Sequence, residues 1–270
     1  MEMDAAKKEI IHILDSFDRF CNEHEIKYTL GYGTLLGAMR HKGFIPWDDD
    51  VDVVLTTSEY LKFRECVKPH PYLDPNHRYL VKVPGDKDYG YSFIKIIDTR
   101  YRIKENNIAD RYSIGLFIDV FRVDYWPVSG LHEFYQLKTA RFLNKINEIL
   151  IRGNIKAGTK WEVLDKLLRP VDLLFSVLGI TPEKVTGRLE SKGLKNRKNN
   201  YVGNIMSGSG RKSEKLPIHL FDEYTLMEFE GKKYPAIKAA DAYLKLLYGD
   251  YMVLPDKSKQ VGHEYTLEKV

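Results

Sequence analysis

The sequence has 270 residues, of which 43% are hydrophobic and 30% charged, and its formal net charge is +4. This composition is too apolar for an intrinsically disordered chain, and the small basic excess disfavours a protein that binds nucleic acid through a broad basic face. No apolar stretch approaches the roughly 20 residues that cross a bilayer, and the N-terminus lacks a signal-peptide core, so we expect a cytoplasmic protein.

The first half of the chain alternates predicted helices and strands. Apolar residues at three- and four-residue spacing predict an amphipathic helix over residues 4–24. A short helix over 34–40, expected to end at Gly43, and a helix over 57–67 follow. β-branched and aromatic residues predict five strands, which are residues 26–30, 48–55, 79–83, 91–97 and 115–123.

The second half is mostly helical in its pattern. Predicted helices cover 130–151, 160–178 and 182–195, the second of them bent or broken at Pro170. A strand near 200–206, a Gly/Ser loop at 207–213, a hairpin-like segment at 225–235 and a helix at 237–248 follow. The pattern therefore predicts an α/β or α+β first half that is followed by a mostly helical second half.

Four aspartates precede the apolar part of the strand at 48–55, and they are the most informative residues of the sequence. Side chains alternate along a strand, so Asp50 and Asp52 point to one face, about 6.6 Å apart along the backbone. Two carboxylates held this way repel each other, and a divalent cation converts that repulsion into attraction. Mg²⁺ suits the pair because it takes one or two carboxylates and keeps its other sites for water and phosphate.

Two alternatives compete with this magnesium site. A solvated acidic loop explains Asp48 and Asp49 well, but it explains Asp50 and Asp52 poorly because an apolar strand follows them. A calcium loop of the EF-hand type fits the acidic spacing that ends at Glu59. That loop requires glycine at its sixth position, where this chain has valine.

A glycine turn lies upstream of the aspartates. The segment Gly31-Tyr-Gly33-Thr34 follows a strand and opens a helix, where backbone N–H groups and the helix dipole favour a phosphate. The nearby Arg40 and His41 are candidates to neutralise a second phosphate, or simply favourable charges near a helix end.

The segment Tyr28–Leu55, YTLGYGTLLGAMRHKGFIPWDDDVDVVL, resembles the signature of the LicD family of phosphotransferases, which includes fukutin and the fukutin-related protein. The resemblance continues through Phe93–Asp98 and Gly115–Phe121. It returns at Phe229–Gly231 and in Tyr248-Gly-Asp-Tyr-Met252. It covers most of residues 24–255 and is weakest in the helical middle.

The resemblance implies an α+β nucleotidyltransferase fold of the polymerase-β type. We expect a mixed-sheet catalytic core (1–128), an additional, mostly helical region (129–198) and a C-terminal segment that closes the active-site cleft (199–270). On the family pattern the glycine turn is Gly33-Thr34, and the paired metal ligands are Asp50 and Asp52. The third carboxylate corresponds best to Asp119, which apolar residues flank in a predicted strand; Asp124 is the competing assignment. A buried carboxylate such as Asp119 needs a partner, and a shared metal would be one.

The activity implied by the resemblance is Mg²⁺-dependent transfer of a phospho-alcohol, with Mn²⁺ as an alternative metal. In the bacterial branch, which the chain resembles most, this is usually phosphocholine moved from CDP-choline to a sugar of a teichoic acid, lipopolysaccharide or capsule precursor, releasing CMP. Asp119 would assist deprotonation of the acceptor hydroxyl. Alternatives are transfer of another CDP-linked alditol or glycerol phosphate, nucleotidyl transfer releasing pyrophosphate, and a nucleotide-binding homologue without activity.

Further residues are candidates for substrate binding. Asp48 belongs to the acidic segment, Lys95 would reach a donor phosphate or pair with Asp98 or another carboxylate, and Arg211 and Lys212 of the Gly/Ser loop would grip phosphate. The C-terminal motif adds Asp250. Aromatic candidates for a quaternary ammonium group, each of which packing alone would also explain, are Trp47, Trp126, Tyr248 and Tyr251.

Residues 160–178 combine a broad apolar face with basic residues. We expect this face to pack in the core. The alternative is peripheral contact with the inner face of the cell membrane, where a lipid-linked acceptor would lie.

Overall fold

A computed structural model describes residues 3–105, 107–153, 155, 160–205, 214–260, 262 and 265–270. The helices of these residues are Met3–Glu23 (α1), Tyr32–His41 (α2), Thr57–Val67 (α3), Gly130–Ile151 (α4), Lys160–Val177 (α5), Pro182–Gly193 (α6) and Ala240–Tyr248 (α7). The strands are Thr29–Leu30 (β1), Asp52–Thr56 (β2), Tyr79–Lys82 (β3), Ile94–Asp98 (β4), Tyr101–Glu105 (β5), Leu116–Tyr125 (β6), Tyr201–Gly203 (β7), Leu216–Pro217 (β8), Tyr224–Phe229 (β9), Lys232–Ile237 (β10) and Tyr265–Lys269 (β11).

A mixed sheet forms the centre of the fold. Its strand order is β1-β2-β6-β4-β3, and β7 and β8 extend it beside the end of β6. Strands β2 and β6 are parallel, whereas β1, β3, β4 and β7 pair antiparallel with their neighbours. The parallel pair needs a long crossover, which α3 and the next three strands provide. The predicted α+β class with a mixed-sheet core is therefore confirmed.

Helix α1 supplies one apolar layer against this sheet. Its periodic residues Ile10, Ile13, Leu14 and Phe17 are at most 1% exposed, and they belong to the same hydrophobic cluster as the central strands. Complete burial of each such side chain contributes about 1.5–3 kcal/mol. The sequence period predicted this helix correctly, and its packing fixes one face of β2 and β6.

A second, smaller hydrophobic cluster joins α4 and α6. Trp126, at the end of β6, packs there with Leu137, Ala140, Val185, Leu189 and Ile205. The indole Nε1 of Trp126 donates a hydrogen bond to Glu133 at 3.0 Å. Trp126 is thus a core residue of the helical region, and packing explains it as the sequence analysis allowed. None of the helices in the described part of the chain is long and apolar enough to span a membrane.

Several predicted boundaries differ from the structure. The strand expected at 91–97 begins only at Ile94, and the helix expected at 237–248 begins at Ala240 because Ile237 still pairs with Tyr224 in the β9–β10 hairpin. Helix α5 continues through Pro170 rather than breaking there. Strand β11 pairs antiparallel with β5. Neither strand was predicted, because the local pattern of one strand does not identify a pairing partner about 160 residues away in the chain.

Helix α2 ends differently from the prediction. Its left-handed C-terminal residue is Lys42, with φ of 56°, and not Gly43. Gly43 serves close packing instead, because a Cβ there would lie 2.2 Å from Oε1 of Glu230, which accepts a hydrogen bond from the Phe44 N–H at 2.9 Å. The predicted end of the helix is thus nearly correct, but glycine is required at position 43 because Glu230 of the β9–β10 hairpin packs against it.

Gly37 brings α2 close to the loop that leads to the aspartates. A Cβ at Gly37 would lie 2.4 Å from the backbone oxygen of Gly43. We expect Gly37→Ala to lower the free energy of unfolding by about 1–3 kcal/mol, because the helix must move away from a backbone that cannot yield. Urea unfolding measures this. Gly130→Ala is the matched control, since none of the described residues lies within 4 Å of its Cβ position. Equal stability of the two variants would contradict the expectation.

Candidate active site

Three aspartates meet at the start of β2. Asp52 is the first residue of β2 and pairs in register with Asp119 on the parallel strand β6. Directly paired residues on neighbouring strands lie about 4.8 Å apart. Asp50 precedes Asp52 by two residues, and one carboxylate oxygen from each of the three lies within 4.8 Å of the other two. The structure therefore brings together the three carboxylates predicted to share a metal.

The electrostatics of this cluster favour a cation. Burial raises the pKa of Asp52 well above its ordinary value, and the charges of Asp50, Asp119 and Asp48 raise it further. Burial also raises the pKa of Asp119 to about 6, although Lys95 opposes the change. Ionised carboxylates at this spacing are costly without a counter-charge. A set of carboxylate oxygens is the donor set of hard divalent cations such as Mg²⁺, so these residues fit a metal ion of that class.

The raised pKa of Asp119 predicts how the metal-free protein responds to pH. An aspartate in the unfolded chain titrates near pH ~4, so between about pH 4 and pH 6 the folded state binds more protons than the unfolded state. We expect the stability contributed by this group to be present at low pH and lost as the pH rises through about 6. Urea unfolding in chelator, wild type minus Asp119→Asn, measures it. A difference that does not vary with pH would contradict the assignment.

Lys95 of β4 pairs with Asp119 from the other side. The two residues are opposite each other in the β4–β6 register, and Nζ of Lys95 lies 2.6 Å from Oδ1 of Asp119. Their side chains are 3% and 9% exposed. The ammonium also lies 3.3 Å from the ring centroid of Phe117. Of the two roles predicted for Lys95, the structure shows the ion pair. Its carboxylate partner is Asp119, whereas Asp98 binds Arg78 and Arg100.

The glycine turn holds Asp52 through its backbone. The Gly31 N–H donates to the Asp52 carbonyl at 2.9 Å, and the Asp52 N–H donates to the Thr34 hydroxyl at 2.7 Å. A Cβ on Gly33 would lie 2.7 Å from Oδ2 of Asp48, so glycine lets this carboxylate approach the first turn of α2. Helix α2 thus begins beside the aspartates. Phosphate binding by Gly33 and Thr34 and substrate binding by Asp48 stay predictions.

Residues 25–133, which contain the glycine turn, all three aspartates and Lys95, match the family described as LicD/FKTN/FKRP, nucleotidyltransferase domain. This stretch of the chain therefore matches the nucleotidyltransferase domain of that family. The fold class and the family resemblance expected from the sequence motifs are confirmed.

Similarity to individual proteins extends beyond this domain. The chain is 29% identical over 264 residues to the lipopolysaccharide cholinephosphotransferase LicD of Haemophilus influenzae, covering 94% of this chain and 92% of that protein. An uncharacterised protein of Rickettsia typhi is 44% identical over 166 residues, which are 55% of this chain and 53% of that protein. A second, from Rickettsia prowazekii, is 27% identical over 128 residues, or 44% and 41% of the two chains.

Asp124 has a structural role in this chain. Its carboxylate accepts two hydrogen bonds from Arg122, at 2.6 Å from Nε and 3.0 Å from Nη2, and one from the Thr57 hydroxyl at 3.4 Å. Asp124 is 1% exposed and does not belong to the group of Asp50, Asp52 and Asp119. The competing assignment of Asp124 as the third carboxylate of the cluster is therefore wrong.

A substitution of Asp124 should affect the stability of the fold but not the binding of a metal ion. We expect Asp124→Ala to lower the free energy of unfolding by about 3–5 kcal/mol, since the variant leaves the buried Arg122 guanidinium without its carboxylate. Metal affinity of the variant that still folds should equal that of wild type. Denaturant unfolding and Mn²⁺ titration are the two measurements, and weakened Mn²⁺ binding in folded Asp124→Ala would contradict this division of roles.

The basic residues at the end of α2 contact the C-terminal segment. Nη1 of Arg40 donates to the Tyr251 carbonyl at 2.7 Å, and Nε lies 3.4 Å from Nδ1 of His41. Burial, followed by the Arg40 charge, lowers the pKa of His41. The Arg40–Tyr251 hydrogen bond connects the segment after α7 to helix α2. Phosphate binding by Arg40 and His41 stays a prediction, and Arg211 and Lys212 lie outside the described residues.

The aromatic candidates divide into two groups. Tyr248 is the last residue of α7. Burial and the charges of Asp52 and Asp48 raise the pKa of its hydroxyl, so this tyrosine is close enough to the carboxylate cluster to feel its charge. Tyr251 is buried and donates a hydrogen bond to Asp241 at 2.9 Å, which is a packing role. Trp47 is partly buried and Asp250 is exposed. Substrate contacts of Tyr248 and Asp250 stay predictions.

The sequence analysis missed three residues beside the cluster. The charges of Glu214 and Asp52 add to burial in raising the pKa of Tyr32, and the side chain of Asn204 hydrogen-bonds the Tyr32 hydroxyl. Tyr32 stands between the two glycines of the turn, which was its only local signal. Asn204 and Glu214 come from a segment 170 or more positions later in the chain, so only the tertiary fold reveals them.

Proposed function

We propose that this chain transfers phosphocholine from CDP-choline to a sugar hydroxyl of a cell-surface glycan precursor, releasing CMP. The observation that carries the proposal is the meeting of Asp50, Asp52 and Asp119 inside the matched domain. The similarity to a lipopolysaccharide cholinephosphotransferase over 94% of the chain supports the choice of phosphocholine. Transfer of another CDP-linked alcohol phosphate is the alternative within the same chemistry.

The metal would be held by Asp50, Asp52 and Asp119, with Mg²⁺ as the proposed ion and Mn²⁺ as its substitute. When bound, it supplies positive charge that neutralises phosphate oxygens of the donor. Thr34 and Gly31 position Asp52 through its backbone, and Lys95 positions Asp119. The N-terminal turn of α2, which begins beside these residues, is the proposed phosphate site.

The reaction is a displacement at phosphorus. The acceptor hydroxyl gives up its proton, its oxygen forms a new bond to the distal phosphorus, and the bond to the bridging oxygen breaks so that CMP departs. The chain contributes mainly by positioning the two reactants and by stabilising charge, as is general for phosphoryl transfer. Tyr248, in the field of the carboxylates, is the proposed aromatic contact of the choline group.

The test is CMP release from CDP-choline with Mg²⁺ and a glycan acceptor. We expect CMP and a phosphocholine-bearing product from wild type and neither from Asp50→Ala. Glu65→Ala is the control, since this carboxylate is 75% exposed on α3. CMP from CDP-ribitol or CDP-glycerol alone would change the transferred alcohol. Pyrophosphate release from CTP would replace the proposal with nucleotidyl transfer, and nucleotide binding without any product would leave a binding protein.

A further inference from the structure

Helix α5 exposes its apolar side. The side chains of Val163, Leu167, Leu173, Leu174 and Val177 are 54–77% exposed. At about 3.6 residues per turn, all five fall on one side of the helix and form a stripe along it. A surface helix of a globular protein normally turns such a stripe inward. The expectation that the apolar face of residues 160–178 packs in the core is therefore wrong for this stripe.

Ion pairs hold the helix in this reversed orientation. Arg152, just after α4, donates from Nε to Asp165 at 3.0 Å and from Nη1 to Asp172 at 2.7 Å. The two aspartates are seven residues apart, so they share the side of α5 that faces the protein. The Arg152 side chain is only 12% exposed, and its hydrogen bonds to Asp172 raise its pKa. The polar side of α5 is thus anchored and the apolar side is left outside.

The region around this stripe is strongly basic. Residues 129–198 contain 14 Lys and Arg but seven Asp and Glu, a formal charge of +7, although the whole chain carries only +4. On α5 itself, Lys166 and Arg169 are 63% and 71% exposed, and they lie 2.8 Å from Glu162 and 3.8 Å from Asp165 of the same helix. An exposed apolar stripe with flanking cations is the pattern of helices that lie in the interface of a bilayer containing anionic lipids.

We propose that α5 docks the protein on an anionic membrane surface, with its apolar stripe inserted at the boundary of headgroups and acyl chains. A second copy of the chain fits this face less well, because a two-fold contact would bring two regions of charge +7 together. An anionic bilayer instead complements both the charge and the stripe. The inference goes beyond the proposed transfer reaction, and it would bring the catalytic core to acceptors that are anchored in lipid.

Sedimentation with vesicles tests the proposal on the full chain. We expect wild type to bind vesicles of phosphatidylcholine mixed with phosphatidylglycerol, to bind pure phosphatidylcholine more weakly, and to dissociate as salt is raised. The double variant Leu167→Glu with Leu173→Glu should lose about tenfold or more in partition coefficient. Both leucines are 68–69% exposed, so neither substitution disturbs the core.

The matched control is Leu61→Glu with Leu226→Glu, which adds the same charge at exposed leucines of α3 and β9. It should bind vesicles within about twofold of wild type. Failure of wild type to bind anionic vesicles, or equal loss in both double variants, would overturn the proposal. So would a wild-type dimer in solution that the α5 variant, and not the control, converts to monomer.

The outcome for α5 is separable from that of the proposed function. With a water-soluble glycan acceptor and no vesicles, CMP release by the Leu167→Glu, Leu173→Glu variant should equal that of wild type. If wild type binds vesicles but transfers nothing from any CDP-alcohol, the proposed reaction fails and the docking surface stands. If transfer occurs without vesicle binding, the reverse holds.

Discussion

Replacing Asp52 by asparagine should abolish transfer and at the same time stabilise the metal-free protein. The amide keeps the shape of the carboxylate, and the bonds to Thr34 and Gly31 use the backbone of residue 52, so the local fold persists. The variant removes the carboxylate whose pKa burial and the charges of Asp50 and Asp119 raise. Loss of one charged group that stabilises a transition state typically costs about 10²–10³ in rate.

The stability gain has the same electrostatic origin as the lost activity. Because burial and neighbouring charges raise the pKa of Asp52, its ionised form at pH 7 destabilises the metal-free fold. We expect Asp52→Asn to raise the free energy of unfolding in chelator by about 1–4 kcal/mol, the range that Coulomb's law gives for the repulsion of two like charges near a protein surface. Mg²⁺ should raise the melting temperature of wild type and leave that of the variant nearly unchanged.

The measurements are CMP release and urea unfolding with and without Mg²⁺. Asp222→Asn is the control, because residue 222 is exposed and a surface change of this kind stays within about 0.5 kcal/mol. A metal-free Asp52→Asn protein that is less stable than wild type would show that the carboxylates are held by favourable contacts and do not need a cation. That outcome would remove the electrostatic basis of the metal site.

Replacing Lys95 by methionine should lower both the stability of the protein and its activity. It leaves the carboxylate of Asp119 buried without its ion-pair partner, a change that costs about 3–5 kcal/mol. We expect the loss to be largest above pH 6 and smaller in acid, where Asp119 is protonated and needs no partner. Transfer should fall because an unpaired Asp119 no longer holds its position.

A double-mutant cycle separates these effects. Adding Asp119→Asn to Lys95→Met should recover part of the lost stability without recovering transfer, because the charge that needed a partner is gone. Lys82→Met is the control, since Lys82 lies opposite Lys95 on β3 but donates to the Lys87 carbonyl at 3.2 Å. A Lys95→Met protein as stable as Lys82→Met would mean that the Lys95–Asp119 pair contributes little. Additive losses in the cycle would lead to the same conclusion.

Local pattern determined much of the fold and part of the site. The period of α1, the hairpin of β9 and β10 and the β-branched residues of β2 each express a local preference that packing reinforced. The two-residue period of a strand placed Asp50 and Asp52 on one face, and the glycine turn marked the start of α2. The long signature block also indicated the family resemblance, and its continuation at Gly115–Phe121 pointed to Asp119.

The tertiary structure decided what depends on distant pairing. The parallel register of β2 and β6 places Asp52 beside Asp119. Asp124 lies outside the carboxylate cluster and forms an ion pair with Arg122. The choice of Asp119 over Asp98 as the partner of Lys95 likewise follows from the β4–β6 register. The sequence by itself determined that α5 is amphipathic, but only the ion pairs of Arg152 decided which side faces outward. A periodic pattern defines a face, and the partner across space determines where that face points.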